Sequence, residues 1–290
     1  EGDTFFAKAV AGKAGGALAI ETQHDAKSGF KSREQLKAVA EGKVAMANNF
    51  AGALGDEDAF FLLSSLPFLA ANAGEARRLY ELAKPRYEAV LKAHNQKLLF
   101  STPWPPSGVW AKVAADTPEA VAALKIRTYD KTGTELFKAL GATASVVSFT
   151  DLPAMLHASV IDAVLSSGDG GAGRKLWEVL PNFTEINYAV PLSLATVNLD
   201  RWNALDAATQ KAVLEAAAET EARQWQAMEG RVAKNYERMR ENGMTITTKV
   251  TPALAAKFKE AAGAVILDWE AKSGAEGRDV LERFRKGAVK

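Results

Sequence analysis

Few residues in this chain stand at the spacings that chemistry requires. The three histidines, His24, His94 and His157, lie far apart and show no H-x-x-x-H spacing, so no helix face offers two imidazoles to a metal. Cysteine is absent, which removes disulfides, thiolate metal sites and thiol nucleophiles. Ser166-Ser167-Gly168 follows a strand pattern but lacks the G-x-S-x-G frame of a nucleophile elbow, and no histidine lies near it in sequence. Gly168-Asp169-Gly170-Gly171-Ala172-Gly173 matches G-x-G-x-x-G between a strand and a helix, the context in which such a loop holds a dinucleotide pyrophosphate. The acidic residue expected about 20 positions on for the ribose hydroxyls is missing, since Glu185 is too near and Asp200 too far. A Rossmann-type NAD(P)-dependent oxidoreductase using the Gly168–Gly173 loop stays open as the alternative reading.

Arg127 is a candidate of another kind. It lies in Leu124-Lys125-Ile126-Arg127-Thr128, where a predicted strand ends. Ligands of open α/β sheets bind outside the carboxyl ends of strands, and a guanidinium presents a planar fork that matches a carboxylate bidentately. Trp104, Trp110, Phe149 and Tyr188 fall around the same predicted strand ends. Small-ligand sites are built this way, from apolar walls with a few fixed polar groups.

The elements that must position these residues follow from hydrophobic periodicity. Phe5, Phe6, Ala9 and Val10 predict a helix that Gly15-Gly16 ends; Ala17–Thr22 reads as a strand; Ser32 is the expected N-cap of a helix through Leu36, Val39 and Ala40. Strands follow at Val44–Asn48 and Leu98–Ser101, with a long amphipathic helix over Glu75–His94 between them. Pro103-Trp104-Pro105-Pro106-Ser107-Gly108 can continue neither a helix nor a central strand and marks a crossover. Beyond it, strands Val109–Ala114, Ile126–Thr128, Ser145–Phe149 and Ile161–Leu165 alternate with helices, which predicts a parallel sheet in an α/β protein. One helical period runs from Trp202 to Met239. A helix of roughly 40 residues spans about 60 Å, so this segment either crosses between two lobes or is two helices joined at Asp206.

With 290 residues, 48% hydrophobic and 24% charged, the chain can bury a substantial core. Lys plus Arg (36) balances Asp plus Glu (35), which leaves no basic footprint for nucleic acid. No apolar run reaches the roughly 20 residues of a membrane span.

The order of several modest motifs points further. Phe6-Ala7, Val10 and Gly15-Gly16, then Glu34 to Met46, resemble the pattern "FA…V…TGG" and "…L…l..G..dm" of the DctP-type solute-binding proteins of TRAP transporters. Leu66-Pro67-Phe68-Leu69 resembles that family's "LPFl" turn, Ala123 to Arg127 its "LkGlKiR", Leu140-Gly141-Ala142 its "lGa.p", Leu156 to Ala163 its "alq.GvvDG", and Asn198, Leu205 and Gln210 its "n…w..L…q". The resemblance implies a two-lobed periplasmic-binding-protein-like α/β fold with a long inter-lobe helix. Its lobes would be residues 1–104 plus 193–235 and residues 105–192 plus 236–290, with the ligand cleft between them. It implies a periplasmic receptor, not an enzyme, that needs no cofactor and delivers a small organic acid to the membrane subunits of a transporter.

Carried over residue by residue, the resemblance makes Arg127 the carboxylate ligand. Ser166 stands where relatives often have asparagine, and Asn48, Asn49 and Phe50 are the candidates from the first lobe. A second arginine that some relatives carry falls at Pro106-Ser107-Gly108 here and is absent. One guanidinium suits a monocarboxylate, and Trp104 and Trp110 suit an apolar or aromatic tail, as in a 2-oxo or 2-hydroxy acid. The family pattern also starts with a strand and loop ahead of the Phe6 helix, whereas Glu1 leads straight into that helix in this sequence.

Overall fold

The structure, a computed structural model, describes residues 1–24 and 26–287. The apolar repeat at Phe6 and Val10 winds α1 (Gly2–Lys13), and Gly15 and Gly16, at φ of 58° and 83°, turn the chain out of it. The predicted strand Ala17–Thr22 does not form; Leu18 and Ile20 lean on a core cluster instead and find no strand partner. The next helix, α2 (Gln35–Ala40), starts after Glu34 and not at Ser32. The reason is local, because the Glu34 carboxylate accepts from the Lys31 backbone N–H (2.8 Å) and holds residues 31–34 as a separate turn. Strand β1 (Met46–Phe50) and a buried 3-10 turn (Ala59–Ser65) lead into α3 (Ala73–Ala93). Asn72 caps α3 by accepting from the Glu75 N–H (2.9 Å), while the Glu75 carboxylate reaches back to the Ala71 N–H (2.7 Å), a reciprocal box.

Strand β2 (Gln96–Pro103) then passes through Trp104-Pro105-Pro106 into β3 (Ser107–Ala111). Helix α4 (Pro118–Ala122), strand β4 (Lys125–Thr128), helix α5 (Lys131–Ala139), strand β5 (Thr143–Val146), helix α6 (Leu152–His157) and strand β6 (Ala163–Ser167) follow in alternation. They are succeeded by α7 (Gly168–Gly173), β7 (Asn182–Thr184) and β8 (Leu192–Asn198). The chain closes with α8 (Leu199–Asn203), α9 (Ala207–Gln226), α10 (Met228–Glu241), β9 (Thr245–Thr247) and α11 (Pro252–Gly287).

These strands make two sheets. The first is three-stranded and antiparallel, ordered β1-β8-β2; the second is six-stranded, ordered β5-β4-β6-β3-β7-β9. The expected parallel sheet is therefore only part of a mixed one. Parallel pairing needs a helical crossover, and here β4 lies parallel to β5 and β6, strands separated by α5 and α6. β3 enters the second sheet through the proline segment and runs antiparallel to both β6 and β7.

The chain passes between the two sheets repeatedly. Residues 103–107 and 188–191 cross side by side, bonded through Trp104 N–H to Pro191 C=O (2.9 Å), Ser107 N–H to Ala189 C=O (3.0 Å) and Tyr188 N–H to Ser107 C=O (2.8 Å). Helix α9 packs Val213, Ala216 and Ala217 into a first-sheet core with Phe100 and Ala195, whereas Met239 of α10 packs with Trp110 and Phe183 of the second. The predicted long helix thus breaks twice: Asp206 caps α9, and a second break falls at Ala227. Segment α11, two helices joined at a kink at Gly274 (φ 69°), spans as well. Its Phe258 and Val265 join Phe137, but its Val280, Leu281 and Phe284 join Leu79 and Tyr87. The end of the 236–290 segment, expected in the second lobe, therefore packs into the core of the first.

Gly171 shows how tightly the second sheet is covered. A Cβ there would stand 2.1 Å from the Trp110 indole, whereas Gly173, at the end of the same helix, faces open space. Over-packing of this kind costs about 1–3 kcal/mol. Gly171→Ala is therefore expected to lower the unfolding free energy in urea by that amount, with Gly173→Ala as a control within about 0.5 kcal/mol of the parent. Equal stability of both variants would show that α7 does not press on Trp110.

Candidate functional site

Between the sheets lies a cleft of about 450 Å³. Arg127, at the carboxyl end of β4, reaches its wall although only 4% of the residue is exposed. Its Nε donates to the Val147 carbonyl (2.8 Å) and its Nη1 to the Leu165 carbonyl (3.1 Å), so the strands on either side of β4 set the plane of the guanidinium. Its Cζ lies 5.4 Å from the Phe149 ring centroid and 6.0 Å from that of Tyr129. No hydrogen bond engages Nη2 among the described residues. Burial pulls the Arg127 pKa down to about 10, with nearby Tyr129 and Asp130 opposing, and the group stays cationic at neutral pH. The result is an oriented, poorly hydrated cation with one unused edge, which is what a carboxylate ligand requires.

The other expected site residues divide by whether they reach this cleft. Ser166, Trp104, Phe149 and Phe50 line it. Gly170 leaves room for Ser166, whose Oγ lies 2.6 Å from the place a Cβ would take. Asn49 does not line it. Alternate residues of β1 face the cleft, so Asn48 and Phe50 reach it while Asn49 turns inward and donates from Nδ2 to Thr196 Oγ1 (2.9 Å). Trp110 is fully buried, donates from Nε1 to the Ser167 carbonyl (3.2 Å) and packs edge-on to Phe183 (5.4 Å). It belongs to the core because β3 is a central strand and α7 covers it. Tyr188 lies one layer behind the wall, its hydroxyl on Thr132 Oγ1 (3.1 Å) and its ring against Tyr129 (6.2 Å).

The nucleotide-loop alternative meets the same fate as Trp110. Gly168–Gly173 is wound into α7, with the Ser167 hydroxyl capping the Gly170 N–H (3.0 Å) and Gly171 pressed on an indole. No open glycine loop is left to cradle a pyrophosphate.

Some cleft residues escaped the reading of the sequence. Tyr129 was detectable, since it stands two positions beyond Arg127 in an extended segment; its hydroxyl pairs with Ser107 Oγ (3.1 Å). Ser193, from β8, and the turn at residues 31–35 gave no signal, since nothing local aims them here. Lys31 of that turn pairs with Asp151, next to Phe149, at 3.0 Å from both carboxylate oxygens. Arg33 stands exposed on the same rim.

Asp130 lies where the two halves of the molecule touch. It caps α5 by accepting from the Gly133 N–H (3.0 Å), and its Oδ2 lies 2.5 Å from where a Gly52 Cβ would stand. Burial raises its pKa to about 6, against the opposing pull of the Ser65 hydroxyl, the Gly133 N–H, the Thr132 hydroxyl and Arg127. An ion pair between Lys131 and Asp56 flanks the contact.

Comparison with known proteins places the chain. The profile of DctP, the bacterial extracellular solute-binding protein family 7, matches residues 2–272. The chain belongs to this family. Among solved structures it is similar to DctP6 of Bordetella pertussis, an extracytoplasmic solute receptor binding pyroglutamic acid, at 29% identity and TM-score 0.94, covering 98% of this chain and 94% of that one. DctP7 of the same organism, which also binds pyroglutamic acid, matches at 27% identity and TM-score 0.94 over the same shares. A TRAP solute-binding protein from a marine metagenome, specific for pyroglutamate, matches at 27% identity and TM-score 0.93, covering 98% of this chain and 93% of that one. The two-lobed fold and the extracytoplasmic setting expected from the sequence are those of this family, and no described helix is long and apolar enough to cross a membrane.

The raised Asp130 pKa has a measurable consequence. A carboxyl with a raised folded-state pKa binds extra protons when folded, so its contribution favours folding below the unfolded value of about 4. That contribution is lost as pH rises through the folded value of about 6. Against Asp130→Asn, which cannot titrate, the parent is expected to lose relative stability between those pH values in thermal melts. A difference in Tm that stays constant over that window would show that Asp130 titrates normally.

Proposed function

We propose that this chain captures a small cyclic monocarboxylate, with pyroglutamate the leading candidate, and delivers it to the membrane subunits of a TRAP transporter. One observation carries the reading: Arg127 is held in plane by two carbonyls and turns an unbonded edge to a cleft between two sheets. A receptor needs that geometry to hold a carboxylate without reacting with it. Membership of a solute-binding family supports binding over catalysis, and three relatives at 27–29% identity that bind pyroglutamate support the solute class. A single buried guanidinium on the wall favours one carboxylate over two. The aromatic-tail expectation loses part of its basis with Trp110 in the core, and Trp104, Phe50 and Phe149 remain as apolar surfaces for a compact ring. Bringing the two sheets together over the solute would remove water from the ion pair and strengthen it.

Calorimetric titration with L-pyroglutamate tests the reading. The parent is expected to bind. Arg127→Ala is expected to lose about 2–5 kcal/mol, roughly 30- to several-thousand-fold in Kd. Arg127→Lys, which keeps charge but not the fork, should fall between them. An Arg127→Ala protein that binds as tightly as the parent would remove Arg127 from the site, and a parent that binds no carboxylic acid would overturn the function.

A further inference from the structure

Building on the proposed capture of a carboxylate, we infer that Ser193 is a specificity-determining residue that donates a hydrogen bond to an uncharged acceptor oxygen on the solute. Ser193 lies on β8, in the sheet opposite to the one that carries Arg127, and lines the cleft although it is 4% exposed. Its Oγ is engaged by Trp104 Nε1 at 2.9 Å. An indole N–H can only donate, so Ser193 Oγ accepts in that bond. A hydroxyl has one proton, and no acceptor among the described residues takes it. The proton is therefore left for whatever fills the cleft, and a buried donor is costly to leave unpaired.

Trp104 is well placed to impose this polarity. Its backbone N–H is bonded to Pro191 C=O (2.9 Å) and its indole N–H to Ser193, so two bonds tie it to one stretch of chain. Pro103, Pro105 and Pro106 stiffen its own segment. Ser193 cannot reverse its role by turning its proton toward Trp104, because the indole offers no lone pair in the ring plane. The inferred solute then carries a carboxylate for Arg127 and, on its far side, a carbonyl, ether or hydroxyl oxygen for Ser193. A donor-only group at that position, such as an ammonium, is rejected. A lactam acid satisfies both ends, and a plain cycloalkane acid satisfies one.

The test crosses protein variants with solutes. Kd is measured by calorimetry for the parent, Ser193→Ala and Trp104→Phe against L-pyroglutamate, its carbocyclic analogue 3-oxocyclopentanecarboxylate, cyclopentanecarboxylate and 3-aminocyclopentanecarboxylate. The parent is expected to bind the two carbonyl-bearing acids about tenfold or more tighter than cyclopentanecarboxylate, from the worth of one hydrogen bond and one unpaired donor. Ser193→Ala should weaken the carbonyl-bearing acids by about tenfold and bind cyclopentanecarboxylate as tightly as the parent or tighter, because the donor that this acid leaves unpaired is gone. Trp104→Phe keeps a ring but frees the Ser193 lone pairs, so discrimination against the amino acid analogue should shrink. A Ser193→Ala protein that weakens every acid alike, or none, overturns the inference while leaving carboxylate capture standing. A parent that binds none of the acids overturns both.

Discussion

A guanidinium buried to 4% exposure is an expensive thing to place between two sheets. Its charge cannot be discarded, since even the depressed pKa of about 10 leaves it ionised in neutral water. The fold compensates in part, with two strand-end carbonyls accepting from Nε and Nη1 and aromatic faces alongside. Those bonds orient the cation without neutralising it. What remains unsatisfied is directed to the cleft, and the strands, the aromatic walls and the proposed solute can all be understood as answers to that one charge.

The position of the charge requires a seam, and the seam needs a chain that crosses it. The paired crossings at residues 103–107 and 188–191, the broken helix α9–α10 and the spanning helix α11 tie the halves together at the back of the cleft. Segment α11 is the most economical of these links, because its stretch before the Gly274 kink already supplies Val265 to one core and Trp269 to the other. Among the described residues, contacts across the front include the pair of Lys31 with Asp151, whose half-exposed partners contribute little to stability. Asp130 and Gly52 meet so closely that the contact admits no side chain on the glycine.

The two walls of the cleft differ in character. The second-sheet wall carries a cation set by backbone carbonyls. The first-sheet wall carries a neutral relay, Trp104 to Ser193, whose direction is dictated by an indole that cannot accept. In the proposed function, a solute lying between them is read for charge at one end and for hydrogen-bond polarity at the other.

Much of this architecture was legible in the sequence. Apolar periodicity located nearly every helix, the proline run at Pro103–Gly108 marked the first crossing, and a strand-end arginine marked the cation that lines the cleft. These signals act between neighbours two to four residues apart, so the sequence carries them openly. Ala17–Thr22 failed as a strand because a strand needs a partner, and no strand pairs with it among the described residues. Which side chains face the cleft was decided only by tertiary structure. Trp104 and Trp110 look alike in sequence, yet α7 buries one and leaves the other on the wall. Asn48 and Asn49 are adjacent, and the pleat of β1 alone separates them. Ser193 stands 89 residues from Trp104, and only the crossing chain brings its hydroxyl under the indole. Burial and hydrogen-bond direction depend on segments distant in sequence, and no local pattern records them.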